Sequence, residues 1–63
     1  MIDMVRVLED EIRDLERIIA ADEAILEIEK SQAKRLVLRE EISKAQDKIE
    51  RLTSRIEGMR AVD

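Results

Sequence analysis

Apolar residues recur along this chain at alternating steps of three and four, and that spacing dictates helix ahead of every other property. Val5, Leu8, Ile12, Leu15 and Ile19 occupy the a and d positions of a heptad, the repeat that lines one face of an α-helix. Met4, Ile18 and Ile25 fall at the flanking g position of the same frame. The first stripe is therefore broader than a two-stranded seam requires. A second run, Leu38, Ile42, Ala45, Ile49, Leu52, Ile56 and Met59, repeats the pattern with a positions at 42, 49 and 56. Extending the first frame by sevens reaches 26, 33 and 40. The two frames disagree by two residues, so the chain either carries a discontinuity or reverses between them.

The most polar window lies in that same place. From Glu29 to Arg35 the only apolar residue is Ala33. Ser31 suits a helix N-cap, where its hydroxyl accepts from a free backbone N–H. The expected architecture is all-α: an antiparallel helical hairpin with helix 1 at about 2–29, a turn near 29–34 and helix 2 at about 32–60. Two rivals remain open from sequence. Asp22 could cap a helix after a turn at residues 20–24, or one unbroken helix could run throughout, since every residue from 20 to 35 tolerates helix. Gly58 is a candidate helix stop. Glu9–Arg13, Glu40–Lys44 and Asp47–Arg51 each place an acid four residues before a base, which supports helix by about 0.3 kcal/mol per pair.

Composition removes most other folds and chemistries. The 63 residues include one Gly and no Pro, Cys, His or aromatic residue. Tight β-turns lack their usual residues, so sheet folds are excluded. Without Cys there are no disulfides or thiolate metal sites, which fits a cytoplasmic setting. No apolar run exceeds four residues and Asp3 follows the first two at once, so neither a membrane span nor a leader is expected. Catalysis by His or Cys is impossible, and no enzyme activity, cofactor or metal is expected. The acids at Glu9, Asp10, Glu11 and Asp14, and at Glu23 and Glu27, are read as solvated helix faces.

Two helices share one seam and leave their flanks exposed. Pairing two hairpins into a homodimeric four-helix bundle covers those flanks. The expected core of that assembly is Val5, Leu8, Ile12, Leu15, Ile18, Ile19, Ile25, Leu38, Ile42, Ile49, Leu52 and Ile56, with the first arm at its centre. Net charge is −4, but residues 1–30 carry −6 and residues 31–63 carry +2. No acid interrupts the stretch from Lys30 to Arg39. Lys30, Lys34, Arg35 and Arg39, with Val37 turned away from the seam, are the expected surface for a partner with acidic groups. The overall acidity argues against nucleic acid as a ligand.

The functional expectation is a protein–protein interaction module: a small helical adaptor, regulator or inhibitor of the kind common among phage and mobile-element products. A ligand-, nucleotide- or RNA-binding bundle using residues 30–39 is the alternative from a different class. A purely structural coiled-coil spacer is the third.

Overall fold

In the computed structural model, which describes residues 2–61, the chain forms two helices packed against each other as a hairpin. Helix α1 spans Met4–Ile28 and helix α2 spans Gln32–Arg60, with the reversal at Glu29–Ser31. The hairpin is a rod of about 50 × 17 × 13 Å. Asp3 caps α1, its side chain accepting from the Arg6 N–H at 3.4 Å. Ser31 caps α2, its hydroxyl accepting from the Lys34 N–H at 3.4 Å. Both caps satisfy donors that the first turn of a helix leaves free.

Helix runs unbroken through residues 20–24, so Asp22 caps nothing and lies inside α1. The single unbroken helix is likewise ruled out by the extended backbone at Glu29 and Ser31. Gly58 does not stop α2, which continues to Arg60; it has no positive φ and open space where a Cβ would stand. Gly58→Ala should therefore stabilise the hairpin, by up to about 1 kcal/mol, because alanine removes the backbone entropy cost of glycine in a helix. A chemical melt followed by circular dichroism measures it.

The densest packing lies in the half of the rod remote from the turn. Leu8, Leu52 and Ile56 are buried there, with Val5, Ile12, Leu15 and Met59 packed around them. These are a and d positions of both arms, as the heptad spacing predicts. Nearer the turn the seam thins. Ala45 is the only other buried apolar residue among those described, and the remaining buried residue is Asp22. Leu36 joins Val37 outside the seam; of the three consecutive apolar residues only Leu38 is half-buried.

Candidate functional site: the turn, a buried carboxylate and an apolar flank

The turn is fastened by one side chain. The Arg35 guanidinium reaches back from the first full turn of α2 and donates to the carbonyls of Leu26 (2.6 Å) and Glu29 (3.1 Å). The last carbonyls of a helix lack intrahelical partners and carry its negative dipole end, so a cation there satisfies both needs. Glu29 Oε1 accepts from the Ser31 N–H at 3.4 Å, and the Glu29 N–H donates to the Ile25 carbonyl at 2.9 Å. This arrangement closes the reversal without glycine or proline.

Of the five residues expected at a partner surface, Arg35 is thus half-buried and engaged within the chain. Lys30, Lys34, Val37 and Arg39 are exposed, and none of the three bases forms an ion pair among the described residues. They do not share one face. Lys34 and Val37 border a groove of about 360 Å³ with Ile25, Glu29, Ala33 and Leu38. Arg39 lies at heptad spacing from Arg60, on the opposite side of the hairpin.

Two cross-helix ion pairs identify those sides. On one, Lys48 Nζ lies 3.1 Å from Glu11 Oε1; on the other, Arg60 Nη2 lies 3.3 Å from Glu9 Oε2. Glu9 pairs across the seam instead of with Arg13, which turns to Asp10 at 3.0 Å. Of the three expected i,i+4 pairs only Glu40–Lys44 forms, at 3.5 Å, and Arg51 has no ion-pair partner among the described residues. Asp14 holds Arg17 at 3.5 Å. The cluster Glu9, Asp10, Glu11 and Asp14 is matched in this way, and among the described residues no three acids converge to hold a metal.

The two flanks differ in polarity. The Glu9–Arg60 side is lined by Glu16, Glu23, Glu27, Thr53 and Glu57, with small alanines between them and the seam residues Ile19 and Ile49 beside them. The Glu11–Lys48 side carries Met4, Ile18 and Ile25 at seven-residue spacing from Glu11, with Val7 and Ile28 three residues beyond Met4 and Ile25. Ile18 is 43% exposed and Ile28 78%, and Val37 of α2 is 62% exposed on the same side. Ile18 and Ile25, expected in an assembly core, are therefore open in the hairpin alone.

Beside Ile18 and Ile25 lies Asp22. It occupies the d position of α1, 7% exposed, and its Oδ2 is buried without a hydrogen-bond partner. Fourteen residues on from Leu8 and fourteen back from Ile56, Asp22 comes level with Ile42. The ionisable group against it is another acid, Glu41. Hydrogen bonding to Asp22, the Asp22 charge and a lesser loss of solvent raise the Glu41 pKa above its ordinary value of 4.5. Two carboxylates in contact resist double ionisation. The heptad frame places Asp22 in the seam, and that was the signal available in the sequence for this site.

Among the described residues no helix is long and apolar enough to cross a membrane. No known family, curated protein or solved structure shows significant similarity to this chain.

Proposed function

We propose that this chain is a non-enzymatic protein–protein interaction module, a small adaptor, regulator or inhibitor that works as a homodimeric four-helix bundle. The observation that carries this reading is the polarity of the flanks. Met4, Val7, Ile18, Ile25 and Ile28 are partly or largely exposed on one side of a molecule with few buried apolar residues of its own. Exposed apolar residues gathered on one side, here in two groups either side of the Glu11–Lys48 pair, mark an association surface. A second copy offers the same face, so a twofold pairing covers both at once.

The outward bases Lys30 and Arg39 support a further partner bearing acidic groups, which they would attract across solvent. Nucleic acid is the weaker ligand, because the chain carries −4 overall and sequence-independent binding needs a basic footprint.

Ile18→Glu tests the dimer. Ile18 contributes little to the hairpin seam, so the substitution leaves the intramolecular packing in place while setting a charge in the proposed interface. Sedimentation equilibrium should give a dimer for the wild type and a monomer for the variant. Thr53→Glu, on the polar flank, should remain dimeric. A monomeric wild type, or a dimer unaffected by Ile18→Glu, overturns the reading.

A further inference from the structure

Asp22 presents a need that its own chain does not meet. Its buried oxygen has no donor, and the group against it is a second acid. Two bases on that flank are engaged elsewhere, Lys48 with Glu11 and Lys44 with Glu40. Lys34, Arg51 and Arg55 lie on the same side of α2 and form no ion pair among the described residues, but Lys34 stands two helical turns before Glu41, and the arginines stand toward the open end of the rod, ten and fourteen residues beyond it.

We propose that two copies pack antiparallel through the Glu11–Lys48 flank, so that Arg55 of each copy reaches the Glu41 carboxyl, beside Asp22, of the other. This rests on the dimer reading above and adds its geometry. The apolar flank admits two closed twofold arrangements. With the axis along the rod, each α1 lies over the other copy's α2 at the same level. Asp22 and Glu41 then meet Asp22 and Glu41 of the second copy, four carboxyl groups in one covered place, with Lys34 at the same level as its counterpart. That arrangement multiplies the like-charge contact already present.

With the axis across the rod, each level toward the turn meets the corresponding level toward the open end. The midpoint of α1 falls near residue 16, which is level with residue 48 of α2 in the register that sets Leu8 beside Ile56 and Asp22 beside Ile42. Glu41 lies seven residues from that level on the turn side and Arg55 seven on the open side, so the two come level across α2 against α2. Arg51 is one helical turn short of it. In α1 against α1, Ile25 comes level with Val7 of the second copy and Ile28 with Met4. These apolar residues then cover one another, and Glu41 meets a base that has no ion pair in its own chain. An arginine is suited to the task, since its planar fork can donate to both acids. Lys30 and Arg39 remain outside this interface.

Two measurements decide it, and the absence of cysteine makes the cross-linking one clean. Arg55→Glu should raise the dimer dissociation constant by about tenfold or more, as should Glu41→Arg; the double variant should recover most of the affinity. In oxidised mixtures of differently tagged chains, Val7→Cys should cross-link to Ile25→Cys. Cross-linking of Ile25→Cys to Val37→Cys between chains would instead establish the axis along the rod. A wild-type dimer indifferent to Arg55→Glu, or one without the Val7–Ile25 link, overturns the antiparallel geometry and leaves the dimer standing. A monomeric wild type overturns both.

Discussion

Asp22→Leu should raise the melting temperature by about 10 °C while making the association less selective in orientation. The gain comes from two sources. Leucine restores an apolar group at a d position, and it removes a buried oxygen that has no hydrogen-bond partner. Together these amount to roughly 2 kcal/mol, and in a chain of this size each kcal/mol moves the midpoint by about 4–8 °C. The loss of selectivity follows from the same change. A polar group in an apolar seam penalises every pairing that leaves it unmet, which is how single buried polar residues fix register and partner orientation. With leucine there, the Val7–Ile25 cross-link should no longer exclude the Ile25–Val37 one.

The pH dependence of that stability difference has a definite sign. Asp22 holds the Glu41 proton more tightly in the folded chain than in the unfolded one. The contribution of Glu41 is therefore fully present below its ordinary value of 4.5 and is lost as pH rises through its raised folded value. The wild type should accordingly fall further behind Asp22→Leu as pH increases over that range. Thermal melts at dilute protein measure it. At concentrations where Arg55 of a second copy engages Glu41, the difference should shrink. A gap that narrows with rising pH in dilute solution would contradict the pairing of Asp22 with Glu41.

The reversal was legible because two independent signals coincided. The frame shift of two residues and the polar window from Glu29 to Arg35 both point to the middle of the chain, and Ser31 supplies the cap. The apolar flank was legible as well, since Met4, Ile18 and Ile25 stand one position off the seam. Asp22 was harder. Its heptad position says buried while its charge says exposed, and as a capping residue it offered an easier account. Helix resolves this conflict in favour of periodicity: α1 has no break there, so the carboxylate goes where the frame sends it. Arg51 was assigned to Asp47 by spacing along one helix. Linear spacing names which partners are in reach, but an exposed pair contributes too little to hold the side chain there.

Arg35 shows the same limit from the other direction. In sequence it is one of four bases at the start of a helix, where positive charge is mildly unfavourable. Only the reversal brings the end of α1 beside it and turns the site from unfavourable to favourable. Arg35→Ala should lower stability by about 3 kcal/mol, because two charge-assisted hydrogen bonds are lost and the carbonyls of Leu26 and Glu29 lose their donor. At about 4–8 °C per kcal/mol the midpoint should fall by more than 10 °C. Arg35→Lys should recover only part of the loss, since an ammonium on a shorter reach cannot reproduce the fork. Arg39→Ala, which removes an exposed base without an intramolecular partner, should stay within about 0.5 kcal/mol of the wild type. Chemical melts of the three variants decide the matter. If Arg35→Ala and Arg39→Ala behave alike, the guanidinium does not fasten the turn, and the caps at Ser31 and Glu29 must hold the reversal by themselves.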